Sequence, residues 1–370
     1  MGGSESYVRA LLDQFGRGIG PAQVTVLVNR EAAGTYASRA RGPVALKPVR
    51  RYRPGHRGPA RAAAMLAAHL LPGPVAREVP RDIDVLHFPV TVPIPRTGLP
   101  EVVTLHDVQH HDLPEFFSRP ERALRRLTYD DAARRAAAVV TPSLYSARRI
   151  VDVLDIPEER VHAVPSGIDH DRFRPEPEAR DEEIRRRLGL ARPFILYPAN
   201  IWPHKNHARL VEAFAKVDHD DLELVLIGQT YGRLAPLLEL ARQAGAGERV
   251  RHLGYIEGDA VPGLYRQARA LVFPSLYEGF GGPPLEAMAC GCPVASSLRC
   301  SLAEICEGAA VALDPEDIAS MTAAIERVVG DERLRAELGR LGIQRAGEFS
   351  WTHAARRHTE IYAEAVARAT

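Results

Sequence analysis

The sequence predicts an α/β protein built from two doubly wound domains. Three observations carry this. Short apolar, β-branched runs alternate with amphipathic helical stretches along nearly the whole chain. The alternation comes as two series, separated by the charged segment RPEPEARDEEIRRRLGL (174–190). At 370 residues the chain is also too long for one ordinary core, so length alone favours two domains. Strands that are apolar throughout are buried on both faces, as in parallel sheets covered by helices. Ligands of such folds sit outside the carboxyl ends of the strands. With two domains facing each other, the cleft between them is the expected site.

The elements follow in order. GGSESYVRALL (2–12) reads as Gly2 and Gly3 in a loop, an N-cap at Ser4, and a helix. A strand ordinarily leads into such a loop, near the sheet centre, and the expectation is that it lies upstream of the given start. The first series is VTVLVN (24–29), VALKPV (44–49), DVLHFP (84–89), VVTLHD (102–107), AAVVTPS (137–143) and RVHAVPSG (160–167). Helices are predicted between them, as at 61–71 and 121–136. The second series is PFILYPA (193–199), LELVLIG (222–228), VRHLGY (250–255), ALVFPS (270–275) and CPVASS (292–297), with helices at 206–217 and 318–330. The closing helix, 351–369, is expected to return to the first domain. The predicted domains are therefore 1–176 plus 351–370, and 177–350.

Composition excludes several classes. A formal net charge of +1 argues against nucleic acid as the main partner. No run of about 18 apolar residues is present, and the start lacks a basic-then-apolar leader, so the cytoplasm is expected. Cys290 ends an apolar helix and Cys292 precedes a strand; with Cys300 and Cys306 they read as small buried thiols, not as a disulfide or zinc site. Only three of the 48 basic residues are lysines, Lys47, Lys205 and Lys216, so each lysine stands out.

Three stretches carry candidate chemistry. In FPSLYEGFGGPPLEAMACGCPVA (273–295) a buried strand gives way to a glycine loop and a helix, with Pro283 and Pro284 in the helix's first turn and Gly291 at its end. Amides around Gly281 and Gly282 would form an anion site at the helix start. Glu286 is expected in the first turn, offering acceptors to ribose hydroxyls, and Glu278 in the loop, offering them to a sugar. In YPANIWPHKNHARLVEAF (197–214), Asn200 and Lys205 follow a strand of the same sheet, and Lys205 is suited to a diphosphate as a point charge. In VVTLHDVQHHDLPEFF (102–117), His106 and Asp107 end a strand and are placed to orient a hydroxyl or move a proton. His110, His111 and Asp112 follow, but consecutive residues are not expected to converge on one ion, so no metal is predicted. The stretch FFSRPERALRRLTY (116–129) mixes Phe116, Phe117, Leu124 and Leu127 with four arginines, a pattern suited to an anionic membrane as well as to an ordinary exposed helix.

These residues resemble the family 4 glycosyltransferases, retaining enzymes of the GT-B fold. The most specific match is the E-x7-E pair Glu278–Glu286. PHKN (203–206), TLHDVQH (104–110), VPSGIDHDRF (164–173) and GGSESYVRALL extend it over nearly the whole chain. The resemblance implies that Glu286 binds the ribose of a nucleotide-diphosphate sugar and that Glu278 contacts the transferred sugar. It implies that Lys205 neutralises the diphosphate, helped by amides from Gly279 and Phe280 to Gly282. His106 would lie near the transferred sugar, Gly2 and Gly3 would face the donor phosphate, and Tyr255 would border the base. The family usually carries arginine where this chain has Asn200. The resemblance further implies no metal cofactor, front-face attack, and a saccharide or lipid-linked acceptor, mannose being one candidate sugar. Other readings are an inactive nucleotide-sugar-binding protein and a GT-B epimerase or phosphorylase.

Overall fold

A computed structural model describes residues 3–49, 63, 67, 70–71, 73–90, 97–256 and 258–369. Contacts divide the chain into two units, Met1–Gly167 with Ser350–Thr370, and Ile168–Phe349.

In the first unit, helix Gly3–Gly16 turns Tyr7, Leu11, Leu12 and Phe15 inward at helical spacing. It packs with helix Trp351–Ala369, which offers Ala354, Ala355, Ile361, Tyr362 and Ala365 to the same core. Gly3 is thus already helical and Ser4 lies inside the helix, so the expected N-cap is corrected by about a turn's fraction; Gly2 lies outside the described residues. Strands β1 (Val24–Asn29) and β2 (Val44–Val49) pair in parallel, Val24 with Val44. Strands β3 (Leu86–Phe88), β4 (Glu101–Thr104), β5 (Ala138–Thr141) and β6 (Val161–Ala163) form a second parallel sheet in chain order. Every residue of β4 and β5 is buried, as strands covered on both faces require.

The helix expected over 121–136 comes in three pieces: Arg119–Arg125, capped by a Ser118–Glu121 box, a π-turn over Arg126–Asp130, and Asp131–Arg135. Thr128 donates its hydroxyl back to the Leu124 carbonyl (2.7 Å) where the ladder widens. The helix expected over 61–71 falls mostly outside the described residues.

In the second unit, β7 (Phe194–Pro198), β8 (Glu223–Ile227), β9 (Val250–His252), β10 (Ala270–Phe273), β11 (Val294–Ser297) and β12 (Val311–Leu313) form one parallel sheet, ordered β12-β11-β10-β7-β8-β9. β12 was not legible in the sequence, because Val311–Leu313 stands between Ala309-Ala310 and Asp314 without the longer β-rich run that marked the equally short β3, β6 and β9. The chain winds outward from β7 through β9. It then returns to the other side of β7 and winds outward again from β10, with Ala270 beside Ile195. The winding therefore reverses between β7 and β10. That is the topological switch point, where the loops at the strand ends part and leave a crevice.

Phe194, Tyr197, Phe214, Tyr265 and Phe273 fill the core of this unit. Ile168 and Phe173 belong to the same core, so the segment leading out of β6 packs here. Cys290, Cys292 and Cys306 are buried in it, and burial pushes the Cys306 thiol up to about 12; Cys300 is partly exposed. Among the described residues no helix is long and apolar enough to cross a membrane.

Candidate active site

The two loops leaving the switch point carry the principal candidates. Lys205 ends a short 3-10 turn, Pro203–Lys205, after β7. Glu278 lies in the loop after β10. Backbone bonds join the loops, with Leu276 N donating to His204 O (2.8 Å). Buried polar groups fix them from below. The Tyr197 hydroxyl donates to Lys205 O (2.5 Å), and Asn206, held at φ 62°, donates its side-chain amide to Pro274 O (3.2 Å) and Pro315 O (2.6 Å). These bonds replace water that the buried carbonyls would otherwise need.

On that scaffold Lys205 Nζ meets Glu278 Oε1 at 2.5 Å, both side chains mostly covered. The lysine also lies over the Phe273 ring, 5.5 Å from its centroid. Ser301, itself buried, donates to Glu278 O (2.8 Å) and Phe280 O (2.7 Å) and so pins the glycine loop.

Gly281 takes φ 116° ahead of helix Gly282–Ala289, and a Cβ there would sit 2.7 Å from Leu302 Cδ2, so only glycine fits. Pro283 and Pro284 have no N–H, which concentrates the amide donors of this helix start on Gly282. Gly279 and Phe280 lie in the same loop, and Phe280 packs edge-on against Phe349 at 6.1 Å.

Glu286 is the fifth residue of the helix, not in its first turn as expected, because the helix already begins at Gly282, ahead of Pro283. It is therefore held by a side chain instead of the helix end. Tyr265, from helix Val261–Gln267, donates its hydroxyl to Glu286 Oε2 at 3.0 Å. Burial raises the Glu286 carboxyl; the Tyr265 bond and the Arg172 charge act the other way. Burial keeps the Tyr265 phenol protonated well above its usual range, with the Glu286 charge reinforcing it.

Removing the hydroxyl isolates this effect. Tyr265→Phe should weaken donor binding about tenfold, the size of a hydrogen bond to a charged group, and leave kcat nearly unchanged. A donor KM equal to wild type would show that Tyr265 does not position Glu286.

Asn200 follows β7, in the loop that carries Lys205. Its Oδ1 accepts from Gln229 N (2.8 Å), tying the β7 loop to the β8 loop. Gly228 brings those backbones together at φ 136°, where a Cβ would lie 2.6 Å from Ala199 O. Gly228 N in turn donates to Gly254 O (2.9 Å), and exposed Tyr255 follows in the β9 loop.

In the first unit His106 follows β4. Its Nε2 donates to Pro89 O at 3.2 Å, and the Tyr7 ring meets it edge-on at 5.3 Å. Burial lowers its pKa, against opposing contributions from Asp107 and the Pro89 bond. Gly3 begins the helix that carries Tyr7. His110 and His111 meet on a carboxylate outside the run that was expected not to converge on one ion. Both reach buried Asp130 in the π-turn, one on each oxygen, at 3.0 and 2.7 Å, because the carboxylate lies between the two ring directions. Asp112 instead pairs with Arg149 at 2.6 Å. Both sets of bonds clamp the segment after His106. The side chains that sequence reasoning missed, Tyr265, Ser301 and Asp130, act through partners about 20 residues away, which no local spacing shows.

A doubly wound parallel sheet whose switch point carries a lysine, two glutamates and a glycine-opened helix is the arrangement of the GT-B glycosyltransferases. Residues 180–345 match the family described as Glycosyl transferases group 1, and residues 1–172 match Glycosyltransferase Family 4. The chain is 30% identical over 292 residues to D-inositol 3-phosphate glycosyltransferase of Thermobispora bispora, covering 74% of this chain and 67% of that one. It is 29% identical over 254 residues to O-antigen chain mannosyltransferase B of Escherichia coli, covering 68% and 66%. The chain spans about two thirds of the length of these curated relatives. Anabaena HepE in complex with UDP and glucose has the same fold, with a TM-score of 0.73 at 20% identity over 97% of this chain and 95% of that one. The chain belongs to glycosyltransferase family 4.

Proposed function

We propose that this protein is a retaining glycosyltransferase that moves a hexose, with mannose as the leading case, from a nucleoside-diphosphate sugar to a saccharide or lipid-linked acceptor. The observation that carries the reading is the Lys205–Glu278 pair at the switch point, with Glu286 on the following helix. Breaking the sugar–phosphate bond adds negative charge to the departing diphosphate. Lys205 and the Gly282 amide are placed to receive it where it develops. Glu286, with Oε2 taken by Tyr265, offers its other oxygen to the ribose, and Glu278 turns to the hydroxyls of the sugar. His106 serves the transferred sugar, and Tyr255 borders the base. The acceptor hydroxyl attacks the face from which the diphosphate leaves and gives its proton to the departing phosphate oxygen. No metal has a part in these steps.

Relatives named as mannosyltransferases and as D-inositol 3-phosphate glycosyltransferases support the sugar and a polyol acceptor. Exposed Leu127 beside exposed Arg119 and Arg126 supports a lipid-linked acceptor at an anionic membrane surface on the cytoplasmic side. A thermal-shift panel of UDP, GDP and their sugars tests the reading, because a ligand of the native state raises the melting point. One nucleotide series should raise it by several degrees at about 100 times its Kd. A flat response across the panel would sink the proposal.

A further inference from the structure

The one lysine at the switch point is already compensated before any donor arrives. Lys205 is matched by Glu278 at 2.5 Å, and Glu286 adds a second carboxyl on the helix that follows. A nucleoside diphosphate brings more negative charge than one compensated lysine and one helix amide can receive. A further cation is needed on the same sheet edge.

The β8 loop holds one. Thr230 to Arg233 form a tight turn in which Tyr231 (φ 48°) and Gly232 (φ 79°) are both left-handed and Arg233 N donates to Thr230 O (2.9 Å). Tyr231 adopts a conformation that costs about 1 kcal/mol for a residue with a side chain. What the turn achieves is a stack: the Tyr231 ring lies on Trp202 with centroids 4.3 Å apart and planes 28° from parallel. Both rings are exposed, 54% for Tyr231 and 39% for Trp202, so burial does not explain the arrangement. The Arg233 guanidinium completes it, 5.7 Å from the Trp202 ring centroid, and its NH1 donates to Ile201 O at 3.3 Å. Ile201 and Trp202 belong to the loop that carries Lys205. Two more bonds lock the loops together, Ile201 N to Gln229 O (2.9 Å) and Gln229 N to Asn200 Oδ1 (2.8 Å).

Among the described residues no carboxylate lies within ion-pair distance of Arg233, unlike Arg299, which pairs with both Asp314 and Glu316. One N–H is used on a carbonyl, and the rest of the planar fork remains for an oxyanion. We infer that Arg233, seated on the Trp202–Tyr231 stack, is the second cation that receives the donor's diphosphate. The stack orients a charge that would otherwise sample many rotamers, so the aromatic pair is a positioning device and the guanidinium the ligand-binding group. This inference rests on the nucleotide-sugar reading of the same site.

The test is calorimetric titration of the full chain with UDP and GDP, and with uridine and guanosine, at low salt. For whichever diphosphate the wild type binds, Arg233→Ala should weaken binding about 10- to 100-fold, while nucleoside binding stays within about twofold. Arg233→Lys should recover part of the loss, and Trp202→Ala should lose several-fold with Arg233 intact. Higher salt should narrow the gap between wild type and Arg233→Ala. If Arg233→Ala binds the diphosphate like wild type while Lys205→Ala does not, Arg233 is an ordinary surface arginine and the inference is overturned alone. Equal losses for nucleoside and diphosphate would overturn it too, because the residue would then act on the base or the loop. If the wild type binds neither diphosphate, or neither variant changes binding, the donor reading falls with it. Unchanged melting temperatures for the unliganded variants guard against misfolding as the cause.

Discussion

Lys205→Ala should lower kcat/KM by about 10²- to 10³-fold, equivalent to about 3–4 kcal/mol, the usual cost of removing one preorganised group from a developing charge. The reason is specific to this site. Lys205 is held by a hydrogen-bonded loop, over an aromatic ring, against a carboxylate, so its position is set before the donor binds. Its removal has a second consequence. Glu278 is left partly buried without its cation, directly where a diphosphate must approach. Nucleotide affinity should therefore fall further in Lys205→Ala than loss of a single contact explains. The double variant Lys205→Ala with Glu278→Gln should regain part of that affinity, since the unpaired charge is gone, but not the lost turnover. This non-additivity is the signature of two residues in one network. A double variant whose nucleotide affinity equals the product of the two single losses would mean that the ion pair is incidental to the donor site. Lys205→Ala with unchanged turnover would remove the charge-stabilising role.

The sequence made the frame of this site legible, and its supports were hidden. Glu278, Glu286 and Lys205 could be picked out because glycines, prolines and a rare lysine mark strand-to-helix turns, and such turns face one edge of a parallel sheet. The alternation of strands and helices likewise showed the second-unit sheet apart from β12, which lies in no longer β-rich run. What stayed out of reach depends on contacts between distant segments. Nothing near Glu286 in sequence announces that Tyr265 will hold it. The first-turn placement of Glu286 erred because the helix already starts at Gly282, ahead of the two prolines expected to open it. Asp130 drew no notice in a run of arginines and acids, yet it is where His110 and His111 meet. Asn200 could be picked out as a donor-site candidate, but the bond by which its side-chain oxygen ties the neighbouring loop could not. Local pattern reports which loop faces the ligand edge; side-chain chemistry across strands decides what each residue there does.

His358 alone should cost the first unit about 3 kcal/mol of stability as pH drops from about 6.5 to about 4, and His106 and His162, also lowered by burial, act in the same direction. This histidine is fully buried between helix Gly3–Gly16 and its own helix, and burial pushes its pKa down to about 4. Its Nδ1 lies 2.7 Å from Ala354 O, which can only accept, so Nδ1 carries the proton and Nε2 accepts from the Tyr7 hydroxyl at 2.5 Å. The remaining bonds can all run in one direction. Tyr362 donates to His87 Nδ1 (2.7 Å), His87 Nε2 to Thr104 Oγ1 (2.8 Å), and Thr104 to the Tyr7 oxygen (3.2 Å). Every donor in that chain has an acceptor only while both histidines are neutral. A proton on His358 Nε2 would face the Tyr7 hydroxyl proton and force the chain to reverse. The unfolded chain meets no such barrier and takes up the proton near pH 6.5. Stability is therefore fully present above about 6.5 and is lost as pH falls toward 4, because the unfolded state then binds more protons. His87, also lowered well below its usual value by burial, adds to the loss in the same direction. Buried carboxylates such as Asp130, held below the ordinary aspartate range, contribute only at lower pH and do not mask the window. Urea unfolding followed through a first-unit probe at pH 7, 6, 5 and 4.5 would measure the slope. His358→Gln, whose carbonyl can still accept from Tyr7, should lower stability at pH 7 yet flatten the pH dependence by about one proton. A slope unchanged in that variant would place the titration elsewhere in the protein.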